Sequence, residues 1–241
     1  MVDRRFDIQQ GHNQAAVQAG RQTGTGIDAN AMKVLRNTYS LLAMTLLFSA
    51  AMAGVSMAMG VGHGISLMCS LGALGLIWLV LPRTANSSAG IAVVFAFTGL
   101  LGFGLGPILN YYLSMANGGS IVMQALGGTA VVFFALSGYV LTTKKDFSFL
   151  GGMLMAGMVV VIVGMLGMFV ASLFGVDVSA FSLALSGAIV LLMSGFILFD
   201  TSRIINGGET NYIMATTGLY LSIYNLFVSL LHILGAFAGD D

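Results

Sequence analysis

The sequence predicts an all-α integral membrane protein, built as a bundle of seven transmembrane helices. Apolar residues make up 57% of the chain and charged residues only 7%, whereas a soluble domain carries about 25% charged residues. Seven apolar segments reach the length of about 20 residues that crosses the hydrocarbon core of a bilayer. Lysine and arginine are confined to the N-terminal segment and to alternate connections between the apolar segments. The lipid bilayer is therefore the predicted environment of most of the chain.

The seven predicted spans are separated by short connections rich in glycine, asparagine or charged residues. They cover residues 38–60, 65–82, 90–112, 121–142, 148–174, 180–200 and 211–237. Residues 37–241 are thus predicted to form one transmembrane domain. Residues 1–36 contain few apolar residues and no lasting hydrophobic period, which is typical of a disordered tail.

The distribution of positive charge predicts how the bundle lies in the membrane. All nine Lys and Arg residues lie in the tail or in every second connection, at positions 4, 5, 21, 33, 36, 83, 144, 145 and 203. Because Lys and Arg accumulate on the cytoplasmic side of membrane proteins, the N-terminus and the tail are predicted to be cytoplasmic and the C-terminus periplasmic. The formal net charge of zero argues against nucleic-acid binding, which needs a basic surface.

The last span carries a row of small and polar residues, which we name the polar seam. Its members recur at spacings of four, three, four and three, and they are Gly218, Ser222, Asn225, Ser229 and His232. This spacing places them on one helix face. Because polar side chains at membrane depth turn away from lipid, the seventh helix is predicted to lie centrally with its seam facing the middle of the bundle. The alternative is ordinary hydrogen bonding between helices with no pathway, and His232 is interpreted as a packing residue near the outer end.

Asp200 is the acid that lies at the edge of an apolar span without an obvious loop. It is predicted at the cytoplasmic end of the sixth helix, where Arg203 follows one helical turn later and can pair with it. An ionisable residue in this position is a candidate functional group. The alternative is an Asp–Arg pair that only fixes the depth of the helix. If Asp200 instead turns inward, it meets the seam near Ser222.

Small residues and methionines suggest how the helices pack. Ala50, Gly54, Ala58 and Gly62 recur at every fourth position of the first span, a spacing that lets helices approach closely in membranes. We interpret this stripe as a contact within the bundle, with a dimer contact as the alternative. The 16 methionines are interpreted as residues that fill gaps in the core, in preference to a methionine-lined metal path.

The motifs of membrane enzymes and cofactor proteins are missing from the sequence. No His-Glu-x-x-His pair is present to hold zinc, and Asp200 has no second acid at membrane depth with which to form an aspartyl-protease dyad. No lysine lies within a span, and the single cysteine, Cys69, precludes a disulfide within the chain. We therefore predict a protein that is not an enzyme, with no catalytic residue, no metal and no cofactor.

Several runs of residues resemble the Bax-inhibitor membrane protein family, also called the transmembrane Bax-inhibitor-motif proteins. They are residues 106–110 (GPILN), 142–152 (TTKKDFSFLGG), 207–212 (GGETNY) and 219–227 (LYLSIYNLF). The resemblance extends from about residue 33 to residue 234, and it is strongest to the proteobacterial inner-membrane branch that modulates the FtsH protease. It implies a seven-helix fold with a central last helix, located in the inner membrane.

The resemblance also implies one of two activities. In the first, the protein binds the membrane-anchored AAA protease FtsH and its prohibitin-like partners and restrains proteolysis because it is itself a poor substrate. In the second, it is a pH-sensitive calcium leak in which two aspartates of the last two helices share a proton. Asp200 matches the first aspartate, but Ser222 stands where the second would lie, and serine cannot form a coupled acid pair. The remaining gate candidates are Arg203, Arg83 and Asn225 around a single acid.

Overall fold

A computed structural model describes residues 27–238, and its helices match the predicted spans closely. The helices are α1 (Ala29–Ala58), α2 (His63–Thr84), α3 (Ala89–Leu113), α4 (Gly118–Thr143), α5 (Gly151–Leu173), α6 (Ser179–Ile205) and α7 (Tyr212–Ala238). A short 3₁₀ turn, Ser148–Leu150, leads into α5. Each of the seven is long and apolar enough to cross a membrane, and residues 27–238 contain no β-strand. The predicted all-α fold with seven spanning helices is confirmed.

The first helix begins earlier than the sequence analysis places it. Residues 29–36, assigned above to the tail, form the first turns of α1. Ala31 and Leu35 continue the buried face of the helix, whereas Lys33 and Arg36 lie on its exposed face. This segment is therefore amphipathic and buries one side, which the sequence analysis missed because it grouped these residues with the polar residues that precede them. Of the rest of the predicted tail, residues 27 and 28 precede α1 without regular structure, and residues 1–26 lie outside the described residues.

The second helix contains a wider turn close to a proline. Residues Leu76–Val80 form a π-helical segment, and Leu81–Thr84 complete the helix with Pro82 in their first turn. Because proline lacks a backbone N–H and crowds the preceding turn, the local hydrogen-bond pattern shifts, and a π turn is one form of that shift. Ile77 and Leu81 of this region face the interior, where they line a cavity described below.

Five helices form the interior of the bundle and two lie outside it. Helix α7 packs against α1, α3, α4 and α6, and α1 also packs along α3. Within the described chain, α2 packs on α3 alone and α5 packs on α6 alone. Tyr220 of α7 is the largest fully buried side chain, and its ring meets Phe97 of α3 edge-on at 5.3 Å between centroids. Gaps consequently remain between α5 and α7 and between α2 and the α6–α7 pair.

The contact between α1 and α3 is made by glycines of α3, not by the predicted stripe on α1. A Cβ at Gly102 would overlap the Ser49 carbonyl, and one at Gly106 would overlap the Ser56 side chain. The stripe itself faces outward: Ala50, Gly54, Ala58 and Gly62 are exposed. A Cβ at Gly54 or Gly62 would meet nothing within 4 Å. The interpretation of the stripe as a contact within the bundle is therefore wrong, because α1 turns its serine face toward α3.

Three connections meet at one end of the bundle, which we name the basic end. The Asn211 side-chain amide, before α7, donates to the Ala85 carbonyl at 2.9 Å and to Asn86 Oδ1 at 2.8 Å. The Ser202 hydroxyl, near the end of α6, accepts a hydrogen bond from the Phe147 backbone N–H at 2.8 Å. The start of α1 joins them through the Thr216 hydroxyl, which donates to the Thr38 carbonyl at 3.3 Å. The described basic residues, namely Lys33, Arg36, Arg83, Lys144, Lys145 and Arg203, all lie in these connections or adjoining helix ends.

Candidate functional site

The polar seam of α7 lies along α6. At one end, a Cβ built on Gly218 would be 3.0 Å from Oδ2 of Asp200, so the carboxylate of α6 rests against the glycine backbone. At the other end, His232 Nδ1 is 2.8 Å from the Ser186 hydroxyl oxygen of α6. Two cavities open beside this contact, one at each end of the seam.

The inner cavity contains Asp200 and lies toward the basic end. Its volume is about 250 Å3. It is bounded by α2, α6, the connection after α6, and α7. The lining residues are Ile77, Leu81, Asp200, Arg203, Glu209, Met214, Ala215, Thr217, Gly218 and Leu221. The structure therefore gathers three ionisable side chains, Asp200, Arg203 and Glu209, into one partly buried space.

Arg203 pairs with Glu209 and not with Asp200. Its guanidinium is 3.4 Å from Glu209 Oε2 and donates to the Gly208 carbonyl at 3.1 Å. Gly207, with a φ of 75°, turns the chain back after α6, a conformation that glycine adopts without strain. This turn brings Glu209 to the arginine. Within residues 27–238, the Asp200 carboxylate forms no hydrogen bond and no ion pair.

Two other predicted gate residues do not line the inner cavity. The Ser222 hydroxyl is buried and donates to the Gly218 carbonyl of its own helix at 3.1 Å. Arg83 is exposed and donates to the Leu79 carbonyl. The residue of α7 that faces Asp200 is thus Gly218, one turn before Ser222. Glu209 is a cavity residue that the sequence analysis did not single out, although the Gly-Gly turn before it signals a chain reversal.

The outer cavity lies between α5, α6 and α7 and has a volume of about 380 Å3. It holds the other half of the seam, Asn225, Ser229 and His232, together with methionines of α5 and α6. The Asn225 amide donates to the Leu221 carbonyl at 2.8 Å. Ser229 is 5% exposed, and its hydroxyl has no hydrogen-bond partner among the described residues.

A buried hydroxyl network on another face of α7 was missed by the sequence analysis. The Tyr220 hydroxyl lies 2.6 Å from the Ser49 hydroxyl and donates to the Thr98 carbonyl at 3.3 Å. It ties α7 to α1 and α3. The sequence analysis counted Tyr220 among the apolar residues of the last span. Its hydroxyl is recognised as a hydrogen-bonding group only once its buried partners are known. No group of three His, Cys, Asp or Glu side chains within residues 27–238 is arranged to hold a metal ion.

Comparisons with known proteins find a matching family and several relatives. The profile of the family described as "Inhibitor of apoptosis-promoting Bax1" matches residues 31–239. The chain is 56% identical over 209 residues to the Modulator of FtsH protease YccA of Escherichia coli K12, covering 87% of this chain and 92% of that protein. The Inner membrane protein YccA of E. coli O6:H1 matches with the same identity and coverage. An uncharacterized membrane protein of Vibrio cholerae is 50% identical over 210 residues, with 87% and 92% covered.

The profile match, the relatives and the seven spanning helices lead to the same assignment. The chain is a multi-pass protein of the bacterial inner membrane. The resemblance found in residues 106–110, 142–152, 207–212 and 219–227 is confirmed, and the chain belongs to the Bax inhibitor family.

Proposed function

We propose that this protein modulates proteolysis by the FtsH protease in the inner membrane. The observation that carries the proposal is the 56% identity over 209 residues to a relative named as a modulator of that protease. The matched region covers 87% of this chain and 92% of the relative, so the likeness extends over most of both proteins.

We further propose that modulation works because the protein is a poorly degraded substrate. Residues 1–26 are mostly polar and include charges of both signs, a composition typical of unfolded segments, which an ATP-driven protease can grip. The bundle that follows resists extraction through the α1–α3 contact and the Tyr220 hydroxyl network. A protease that grips the tail and stalls at the bundle is occupied and degrades other membrane proteins more slowly.

The proposed orientation places the basic end in the cytoplasm, with the N-terminus on that side and the C-terminus in the periplasm. The grouping of Lys33, Arg83, Lys144 and Arg203 at one end of the helices supports it, because positive charge favours the cytoplasmic side. We also propose α7 as the central helix, on the basis of its packing against α1, α3, α4 and α6. Prohibitin-like membrane proteins that accompany the protease are proposed as further partners.

Capture from membranes tests the proposal most directly. Tagged full-length protein is purified from detergent-solubilised membranes and probed for FtsH, with a tagged, unrelated seven-helix protein as the control. In parallel, purified FtsH and ATP degrade a membrane substrate in the presence or absence of the protein. We expect co-purification and slower substrate loss. Absence of FtsH from the eluate together with an unchanged degradation rate would overturn the proposal.

A calcium leak with a two-acid latch has less support from the geometry. Gly218, not an acid, faces Asp200, and the Ser222 hydroxyl is engaged with its own helix. Because a shared proton needs two acids in contact, Asp200 has no such partner on α7.

A further inference from the structure

The outer cavity is long and opens sideways, between α5 and α7. On α5 its wall extends from Met158 to Met168, a distance of about 15 Å along the helix axis. Among the helices of residues 27–238, α5 packs on α6 alone, so contact between α5 and α7 does not close the space. Ile162 and Met165 line the cavity and are about half exposed. The opening therefore lies on the surface of the bundle that faces the membrane.

The two walls of the cavity differ in polarity. The α5 wall consists of methionine, valine and isoleucine side chains, whereas α7 contributes Asn225, Ser229 and His232 and α6 contributes Ser182 and Ser186. None of the residues that line the cavity is Asp, Glu, Lys or Arg, so nothing in the lining would neutralise a charged ligand. The cavity suits an uncharged molecule that has one apolar part and one hydrogen-bonding part.

The polar wall has hydrogen-bonding groups that the protein leaves unused. Ser229 is buried, yet its hydroxyl has no partner among the described residues. Its oxygen is not one of the fully enclosed unpartnered oxygens of residues 27–238, so it is reached from the cavity that Ser229 lines. The Asn225 amide donates to the Leu221 carbonyl, which leaves its Oδ1 without a partner.

The imidazole of His232 adds a third available group. Its Nδ1 is engaged with the Ser186 hydroxyl, and no described residue hydrogen-bonds to its Nε2. In one tautomer Nε2 accepts a hydrogen bond and in the other it donates one. A hydroxyl group both donates and accepts, so it is matched to this nitrogen in either tautomer, and to Ser229 and Asn225 as well.

The depth of the polar wall discriminates between classes of lipid. Ser229 lies nine residues before Ala238, the last residue of α7, or about 14 Å along the axis. Helix α7 is about 40 Å long and thus exceeds the hydrocarbon core of about 30 Å, which places the Ser229 hydroxyl inside that core. A phospholipid whose glycerol reached Ser229 would draw its charged phosphate out of water, at a large cost. A lipid with a neutral head avoids this cost.

We propose that the outer cavity binds a neutral lipid that has one hydrocarbon chain and a head with hydroxyl or ester groups, the chemistry of a monoacylglycerol. The head hydrogen-bonds to Ser229 and Asn225. The chain lies along the methionines of α5, whose flexible side chains adapt to it. The cavity volume of about 380 Å3 is within the range of small-molecule sites, about 300–1,000 Å3. The site is independent of the proposed effect on proteolysis.

Photolabelling in a bilayer tests the site. Full-length protein in phosphatidylcholine nanodiscs receives a monoacylglycerol with a diazirine in its chain, and mass spectrometry locates the labelled peptides. We expect saturable labelling concentrated at residues 158–168 and 225–232, which unlabelled monoacylglycerol in excess removes. Labelling that is spread evenly over the outer surfaces of all seven helices, or that the unlabelled lipid does not reduce, would overturn the proposal.

A charged competitor tests the requirement for a neutral head. Lysophosphatidylglycerol of the same chain length keeps the single chain and the glycerol but adds a phosphate. We expect it to compete much less well than the monoacylglycerol. Equal competition by the two lipids would contradict a site defined by the uncharged polar wall.

A serine substitution tests the contact with the head. Ser229→Ala removes one hydrogen bond and keeps the shape of the wall, so the concentration that gives half-maximal labelling should rise about two- to tenfold. Ser194→Ala is the matched control, because the Ser194 hydroxyl donates to the Val190 carbonyl of its own helix and does not line the cavity. The same half-maximal concentration in Ser229→Ala and in the parent would reject the contact with the head.

A bulky residue at the opening tests the path of the chain. Met165→Trp should obstruct the cavity and reduce labelling, whereas Leu166→Trp, at the next position on α5 and outside the lining, should not. Both positions are exposed, so both variants are expected to fold, and their thermal midpoints without the lipid check this. Equal labelling of the two tryptophan variants would place the lipid elsewhere on the protein.

Discussion

The carboxylate of Asp200 in α6 lies against Gly218 in α7, where a Cβ would be 3.0 Å from Oδ2. The absence of a side chain at position 218 lets an acidic group occupy the interface between two packed helices. The same two helices also meet through Ser186 and His232. Helices α6 and α7 are thus in contact near both ends of the polar seam.

Gly218→Leu should lower stability. The new side chain would have to displace the Asp200 carboxylate or separate α6 from α7, and overpacking of this kind costs about 1–3 kcal/mol. Gly127→Leu is the matched control, because a Cβ there meets nothing within 4 Å. Thermal unfolding in detergent, followed by retention on a sizing column, should show a lower midpoint for Gly218→Leu alone. Equal midpoints would contradict the close contact.

Tyr220→Phe should also destabilise the bundle. The change removes the hydroxyl that joins Ser49 and the Thr98 carbonyl and leaves their hydrogen-bonding groups buried, at a cost of about 1–3 kcal/mol. Tyr224→Phe is the control, since the Tyr224 hydroxyl has no hydrogen-bond partner within residues 27–238. If both variants unfold at the same temperature as the parent, the network adds nothing to stability.

Asn211→Ala should loosen the connection before α7. The Asn211 side chain accepts from the N–H groups of Ile213 and Met214, which caps the helix, and it donates to Ala85 and Asn86. Loss of a cap alone costs about 1 kcal/mol. Asn211→Asp keeps the cap acceptor but loses the donors, so its stability should be intermediate. Hydrogen exchange should increase at residues 84–89 in both variants. Unchanged exchange there would refute the link between the two connections.

Two carboxylates outside the spans should make stability depend on pH. Hydrogen bonds from the Ser148 hydroxyl and backbone N–H lower the pKa of Asp146, and Ser179 lowers the pKa of Asp177 in the same way. Because the pKa is lower in the folded state, each carboxylate stabilises the folded protein at pH values above the ordinary aspartate pKa of about 4. This stabilisation is lost as the pH falls through the folded-state pKa. Asp146→Asn should therefore lower the thermal midpoint more at pH 6 than at pH 3. Asp28→Asn is the control, because the Asp28 side chain caps no helix. If Asp146→Asn changed the thermal midpoint by the same amount at pH 6 and pH 3, the explanation would be rejected.

The proposed orientation predicts which loops can be labelled from outside the cell. In a Cys69→Ala background, Val176→Cys lies in the connection between α5 and α6, and Ser87→Cys lies in the connection between α2 and α3; both positions are exposed. A maleimide that crosses only the outer membrane should label position 176 in intact cells, and position 87 only after lysis. Labelling of position 87 in intact cells, and of position 176 only after lysis, would show that the bundle has the opposite orientation in the membrane.

The sequence predicts the number and limits of the spans well because each is set by local composition. Most helix ends lie within a few residues of their predicted positions, since glycine, asparagine and charged residues end an apolar segment clearly. The start of α1 and the end of α6 are the exceptions. Residues 29–36 combine apolar residues with Asn30, Lys33 and Arg36, and the burial of Ala31 and Leu35 becomes visible only when their neighbours are present. Helix α6 continues five residues beyond its predicted end at residue 200.

The pairing of side chains depends on packing that one sequence does not reveal. Spacing places Arg203 one turn from Asp200, but the turn at Gly207 brings Glu209 to the arginine instead. The stripe on α1 has the spacing of a close contact, yet glycines of α3 make that contact. Periodicity identifies a face of a helix, whereas rotation in the bundle decides what the face meets.

The way α1 is held has a mechanical consequence. Helix α1 packs on both α3 and α7. A load along the axis of α1 would shear both interfaces, so side chains on two neighbouring helices would have to yield before α1 moves. Helix α5, which among the helices of residues 27–238 packs on α6 alone, could be separated from the bundle by the loss of that one interface. A load on α1 therefore meets two helix interfaces, whereas a load on α5 meets one.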